Sequence, residues 1–181
     1  MKYILWVLLL LFSVSCKEKK YSNNSENQPI LPSEVLPNKI ETVELEVYDF
    51  NRFKKYLNRT DDTVYVINFW ATWCAPCVKE LPFFEKVHTE YADKNVKVLL
   101  VSLDFPHLYD SKLKPFIIKN NIKSKVVALD DVDMNAWIPQ ISKDWSGSIP
   151  ATLIYKNDNS KFFEQSFNYK ALEHEIIKFL K

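Results

Sequence analysis

Short apolar runs alternate along most of the chain with stretches in which apolar residues recur every three or four positions. The first pattern predicts strands and the second predicts amphipathic helices. Residues 64–70 form a β-branched and aromatic run, typical of a strand covered on both faces, so we expect this strand inside a sheet. The other predicted strands are residues 43–47, 96–103, 125–129, 151–155 and 161–165, and the predicted helices are residues 49–58, 76–92, 111–121 and 168–180.

The order of these elements predicts the architecture. The order is β-α-β-α-β, followed by an inserted helix and a short strand, and then by a β-hairpin and a closing helix. It describes an α/β domain with a central mixed sheet flanked by helices. Residues 111–129 supply a helix-strand insertion before the C-terminal hairpin and helix. Gly147 is the only glycine of the 181 residues, so a glycine-rich nucleotide loop of the Rossmann or P-loop type is excluded.

Composition and charge exclude further classes. The chain is 47% hydrophobic and 26% charged, which is typical of a globular protein rather than a disordered or multi-spanning one. Its 24 basic and 23 acidic residues leave a net charge of +1. We therefore expect no nucleic-acid partner, because the chain offers little positive potential to attract phosphates.

The first residues have the order of a secretory signal: Lys2, an apolar run too short to span a bilayer, and small residues that end at Cys16. This end resembles a bacterial lipobox, in which the cysteine carries lipid after cleavage, although Ser13 stands where that motif usually has leucine. We expect a signal peptide at 1–15, a lipidated N-terminus and flexible tether at 16–41, and a folded domain at 42–181 outside the cytoplasm. The alternative is an ordinary signal peptide cleaved nearby, which leaves Cys16 as a free thiol.

Cys74 and Cys77 lie where the predicted central strand gives way to a helix. Free backbone N–H groups and the helix dipole at such a position favour a thiolate, and Pro76 suits the first helical turn. A zinc site would need two more ligands, and the three histidines are scattered. A purely structural disulfide would gain little from closing so short a loop. Redox chemistry is therefore the favoured interpretation of the pair.

Two motifs resemble one known family. The segment NFWATWCAPC, residues 68–77, resembles the active-site segment of the thioredoxin superfamily, and its continuation to Pro82 is similar to the WCxPCxxExP motif of the TlpA/ResA-like extracytoplasmic oxidoreductases. The segment WSGSIPAT, residues 145–152, resembles the family's WxGxxPAT, whose proline is cis and faces the cysteines. Asn68 replaces the buried aspartate of cytosolic thioredoxins, which favours the membrane-tethered branch.

The resemblance implies a thioredoxin-like fold and a role for each site residue. Cys74 would exchange disulfides with the substrate, and the more buried Cys77 would resolve the mixed disulfide. Glu80 shares a helix face with Cys77 and would accept its proton, although a glutamate at this place is often merely solvated. The substrate would be bound by Trp73, Ile149 and Pro150.

The leading hypothesis is a membrane-tethered thiol-disulfide oxidoreductase that reduces protein disulfides without a cofactor. The resemblance implies that a transmembrane thiol carrier supplies its electrons, and that cytochrome c maturation is one process it could serve. Two alternatives on the same fold stay open. A Sco-like copper chaperone uses CxxxC and a distant histidine, for which His107 is the candidate. A thiol peroxidase would require a peroxidatic cysteine in a different context.

Overall fold

A six-stranded mixed sheet is the centre of the computed structural model, which describes residues 42–181. The strands are β1 (Glu46–Tyr48), β2 (Val64–Trp70), β3 (Val96–Ser102), β4 (Lys125–Leu129), β5 (Ala151–Lys156) and β6 (Asn159–Phe163). Their spatial order is β1-β4-β3-β2-β5-β6. β1, β4, β3 and β2 run parallel, whereas β5 pairs antiparallel with β2, and β6 pairs antiparallel with β5.

Helices cover the sheet between these strands. They are α1 (Phe50–Phe53), α2 (Ala75–Glu90), α3 (Lys114–Lys119), α4 (Met134–Ile141) and α5 (Tyr169–Leu180). A 3-10 turn at Lys54–Tyr56 extends α1, and a 3-10 turn at Pro106–Leu108 and a π-helical turn at Tyr109–Leu113 precede α3. Asp49 and Asn168 cap α1 and α5 by accepting the backbone N–H groups of Arg52 and Ala171.

The central position predicted for β2 is confirmed, since all seven of its residues are buried between β3 and β5. Its side chains alternate between two hydrophobic clusters. Val64, Val66 and Trp70 belong to the cluster that includes α2 and α5, while Ile67 and Phe69 belong to the cluster on the opposite face. Both faces of the sheet are therefore covered, and the end of β2 is firmly placed.

Two helical regions differ from the prediction. The helix expected at 111–121 begins earlier, at Pro106, and is irregular, because Pro115 has no N–H with which to continue regular α-helical hydrogen bonding into the preceding turn. Helix α4 was not predicted. It has only eight residues and contains Pro139, a residue that disfavours the interior of a helix.

Among residues 42–181 no helix is both long and apolar enough to cross a bilayer. The predicted signal peptide at 1–15, the lipidation of Cys16 and the tether at 16–41 lie outside the described residues.

Candidate active site

The cysteine pair lies at the junction between β2 and α2. Cys74 is the N-cap residue of α2, with extended backbone angles of φ −88° and ψ 97°, and its Sγ accepts the backbone N–H of Cys77 at 3.3 Å. The two residues form a disulfide across a Cα separation of 5.3 Å. The structure thus brings both sulfurs to the helix N-terminus, where the sequence places them.

The two sulfurs differ in access to solvent. Cys74 is 6% exposed and Cys77 is completely buried. Cys77 lies inside the first turn of α2, whereas Cys74 lies at its edge. An incoming disulfide can therefore approach Cys74 but not Cys77.

The second sequence motif meets the first at Cys74. The Ile149–Pro150 peptide bond is cis, and the carbonyl oxygen of Ile149 lies 3.7 Å from Sγ of Cys74. Pro150 is buried immediately before β5, which pairs with β2. Pairing of these two strands thus places Ile149 beside the disulfide.

Glu164 fixes the loop that precedes Pro150, a role that the sequence did not reveal. Its carboxylate accepts the backbone N–H groups of Ser146 and Ser148, each at 3.0 Å, and also the Ser146 hydroxyl. These hydrogen bonds lower the pKa of Glu164, and the bond from the Ser146 hydroxyl is the largest cause. Because Glu164 follows β6, no local pattern connects it with this loop.

Glu80 lies one turn after Cys77 on α2 and is buried. Its side chain accepts hydrogen bonds from Nδ2 of Asn68 at 2.9 Å and from the backbone N–H of Phe167 at 2.7 Å. Burial raises its pKa to about 7, and these two hydrogen bonds oppose the rise. Glu80 is only 1% exposed, so the interpretation of a merely solvated glutamate is wrong.

Asn68 belongs to the same buried network. It is completely buried on β2, and its Nδ2 also lies 3.2 Å from Oγ1 of Thr152 on β5. In the sequence alone, Asn68 stands out only as a departure from aspartate. Its contact with Glu80 arises because even-numbered residues of β2 face α2.

A buried aspartate positions the residues before Trp73. Asp104, two residues after the end of β3, accepts the backbone N–H of Thr72 at 3.0 Å, the Thr72 hydroxyl at 2.5 Å and the Ser102 hydroxyl at 2.8 Å. Trp73 itself is more than half exposed, and its ring stacks with Phe105 at a centroid distance of 6.4 Å. Asp104 therefore ties the end of β3 to the active-site loop.

Two tryptophans and His107 complete the surroundings of the site. Trp137 and Trp145 are buried, and their indole N–H groups donate to the carbonyl oxygens of Asp131 and Ser148. The ring of His107 stacks with Phe105. Within the described part of the chain, no three His, Cys, Asp or Glu side chains come together as metal ligands.

A cysteine pair at a helix N-terminus, a facing cis-proline loop and a mixed sheet flanked by helices define a dithiol protein of thioredoxin-like fold. The AhpC/TSA family model matches residues 38–159, and the chain belongs to this family. The predicted family and fold class are thereby confirmed.

Relatives give the comparison more detail. The chain is 49% identical over 39 residues to thiol-disulfide oxidoreductase ResA of Oceanobacillus iheyensis. The matched segment is 22% of this chain and 20% of that protein. It is 33% identical over 60 residues to the ResA of Bacillus thuringiensis, and this matched segment is 33% of each chain. These matches therefore span a third or less of the curated relatives. The predicted class of enzyme agrees with their names.

A solved structure supports the fold. The chain aligns with a thiol:disulfide interchange protein of the thioredoxin family from Chlorobium tepidum with a TM-score of 0.56 and 18% identity. The alignment covers 66% of this chain and 81% of the other. At this identity the likeness shows the fold alone.

Proposed function

We propose that this protein is a thiol-disulfide oxidoreductase that reduces protein disulfides outside the cytoplasm, held to a bacterial membrane by a lipid on Cys16. The observation that carries the activity is the Cys74–Cys77 disulfide at the N-terminus of α2, with the Ile149 carbonyl beside Cys74. The ResA relatives support the same activity. The order of charged, apolar and small residues before Cys16 supports the location and the anchor.

The reaction begins with the reduced pair. The Cys74 thiolate attacks one sulfur of a substrate disulfide, whose other sulfur leaves as a thiolate, and a mixed disulfide forms. The Cys77 thiolate then attacks Sγ of Cys74 and releases the second substrate sulfur. The substrate has gained two electrons, and the protein is left with the Cys74–Cys77 disulfide.

Glu80 supplies the proton acceptor for the second step. A carboxyl group with a pKa of about 7 exists in both protonation states near neutral pH, which suits it to proton transfer. Glu80 lies one turn after Cys77 on α2 and is buried with it. It takes the proton of the Cys77 thiol when Cys77 attacks, and it returns that proton to a departing thiolate.

Trp73, Ile149 and Pro150 are the residues that we assign to substrate binding. Ile149 lies beside the reactive sulfur, and its backbone groups can pair with an extended segment as an added strand does. The exposed ring of Trp73 offers an apolar surface next to Cys74.

A reductase in an oxidising compartment must be reduced again after each turnover. We assign this step to a transmembrane dithiol carrier, whose own dithiol is oxidised as the Cys74–Cys77 disulfide is reduced. The resemblance to the TlpA/ResA-like proteins further supports an apocytochrome c disulfide as one substrate.

The test combines a redox titration of the pair with turnover of a protein disulfide. Cys74→Ser is expected to abolish turnover, and Cys77→Ser to accumulate a mixed disulfide through Cys74. No turnover together with a potential below about −300 mV would indicate an inert structural bridge. Stoichiometric copper binding that depends on His107 would instead indicate a copper chaperone, and catalysed peroxide reduction a thiol peroxidase.

A further inference from the structure

Apolar side chains are exposed along one cleft of the surface. Trp73, Phe105, Val132 and Met134 are 55%, 57%, 96% and 43% exposed, and they are four of the six large hydrophobic side chains exposed in residues 42–181. All four line a single cleft of about 400 Å³. Concentration of exposed apolar surface in one place is typical of an interaction site.

The cleft adjoins the reactive sulfur. Trp73 directly precedes Cys74 in the chain, and Ile149, whose carbonyl oxygen is 3.7 Å from Sγ of Cys74, is also part of the cleft wall. A polypeptide segment that occupies the cleft can therefore continue to Cys74 without leaving the surface. This continuity makes a substrate segment the occupant that fits the cleft.

The charges of the cleft are all of one sign. Asp104, Asp130 and Asp131 line it, whereas neither lysine nor arginine does. Asp104 is tied to Thr72, and Asp131 accepts the backbone N–H of Phe50. The side chain of Asp130 makes no hydrogen bond or ion pair with other residues of the described domain, so its carboxylate is available to a cation.

We infer that this cleft binds the segment flanking the substrate's disulfide, and that it prefers an apolar side chain next to a lysine or arginine. The inference rests on the proposed function, because the occupant is the protein whose disulfide Cys74 attacks. Val132 and Met134 supply apolar contact, and Asp130 pairs with the cation. These three residues lie on the connection from β4 into α4 and determine specificity without taking part in disulfide exchange.

The test uses two peptides with the same disulfide and a small disulfide, hydroxyethyl disulfide, which has no flanking residues to occupy the cleft. One peptide carries Phe-Lys beside its disulfide and the other carries Ser-Glu. The intact protein is expected to reduce the Phe-Lys peptide with a kcat/KM about tenfold higher, while hydroxyethyl disulfide sets the basal activity.

Variants separate the two contributions. Met134→Ser is expected to lower kcat/KM for the Phe-Lys peptide about tenfold, mainly through KM. Asp130→Asn is expected to lower it about threefold, and less at high salt. Reduction of hydroxyethyl disulfide stays unchanged in both. The matched controls are Ile177→Ser and Asp93→Asn, which alter an exposed apolar and an exposed acidic residue away from the cleft.

The charge reversal Asp130→Lys is expected to shift the preference towards the Ser-Glu peptide. This result is decisive, because misfolding would lower the activity on both peptides and could not reverse the preference between them. If the intact protein and all variants reduce both peptides at equal rates, the inference is wrong and the proposed function stands. If the intact protein reduces neither peptide nor hydroxyethyl disulfide, the proposed function itself is wrong.

Discussion

The side-chain amide of Asn68 donates a hydrogen bond of 2.9 Å to Oε1 of Glu80, which joins the central strand β2 to the active-site helix α2. Phe167 donates its backbone N–H to the other carboxyl oxygen at 2.7 Å. Glu80 has no ion-pair partner within residues 42–181. Its carboxyl group is therefore held in place by neutral donors, and burial keeps its pKa near 7.

Asn68→Asp is predicted to destabilise the protein increasingly as pH rises. The substitution replaces a donor by a second carboxyl group beside Glu80, and two buried carboxylates side by side cannot both ionise cheaply. We expect a loss of about 1 kcal/mol at pH 5, where a shared proton restores a hydrogen bond, and about 3 kcal/mol at pH 8. Urea unfolding at the two pH values measures both losses.

Asn68→Leu is the control for this prediction, because it removes the donor without adding a charge. Loss of this hydrogen bond raises the pKa of Glu80 further, so the stability of Asn68→Leu should fall with pH somewhat more than that of the unmodified protein, but less than that of Asn68→Asp. Equal losses for Asn68→Asp at pH 5 and pH 8 would contradict the proposed repulsion.

Glu80→Gln is predicted to remove a pH dependence of stability. The pKa of Glu80 is raised from 4.5 to about 7 in the folded protein, so its contribution is fully present below pH 4.5 and is lost as pH rises towards 7. At about 1.4 kcal/mol per pKa unit, the unmodified protein should lose about 3 kcal/mol relative to Glu80→Gln across this interval. Unfolding of the oxidised proteins from pH 4 to pH 8 measures the difference.

The same variant tests the role of Glu80 in disulfide exchange. The step in which Cys77 resolves the mixed disulfide should slow, and the inflection near pH 7 should disappear from its pH–rate profile. The attack of Cys74 on the substrate should change less. A profile that keeps its inflection in Glu80→Gln would assign the titration to another group.

The parts of the site that were predictable from sequence are those encoded locally. The apolar run of β2, the capping position of Cys74 and the proline of the second motif each produce their geometry within a few residues. The partners of Glu80 are different, since Asn68 and Phe167 reach it only after the sheet and α5 have assembled. A pattern along the chain cannot show such contacts, because burial of a carboxyl group depends on elements distant in sequence.

The same distinction explains the irregular elements. The short length of α4 and the proline inside it argue against a helix, and no local pattern indicates the π-helical turn before α3. No sequence pattern marks residues 130–134 as part of the site, because exposure of Val132 and Met134 beside the cysteine pair is a property of the folded chain.

Asp104→Asn is predicted to loosen the active-site loop. The carboxylate accepts the backbone N–H and the hydroxyl of Thr72 and also the hydroxyl of Ser102, and an amide can replace only one of its two oxygen acceptors. We expect a stability loss of about 2 kcal/mol and slower reduction even of a small disulfide. Asp93→Asn, at an exposed position, is the control. A variant as stable and active as this control would exclude a positioning role for Asp104.

Glu164→Ala is predicted to free the loop that carries Ile149 and Pro150. Ser146 and Ser148 lose the acceptor of their backbone N–H groups, so these amides should exchange hydrogen for deuterium at least about tenfold faster. Stability should fall by about 1 to 2 kcal/mol. KM for a protein disulfide should rise more than kcat falls, because the loop carries Ile149 and Pro150, which we assign to substrate binding, whereas the substitution leaves the cysteines unchanged.

The pH dependence adds a second test of Glu164. Hydrogen bonds, with that of the Ser146 hydroxyl the largest cause, lower its pKa, so its contribution to stability is present above the unfolded value of 4.5 and is lost as pH falls below it. The difference in stability between the unmodified protein and Glu164→Ala should therefore shrink below pH 4.5. Glu44→Ala, at an exposed position, is the control and should change neither the amide exchange of this loop nor the pH dependence of stability. If the amides of Ser146 and Ser148 stay protected from exchange in Glu164→Ala, the loop is held by other contacts.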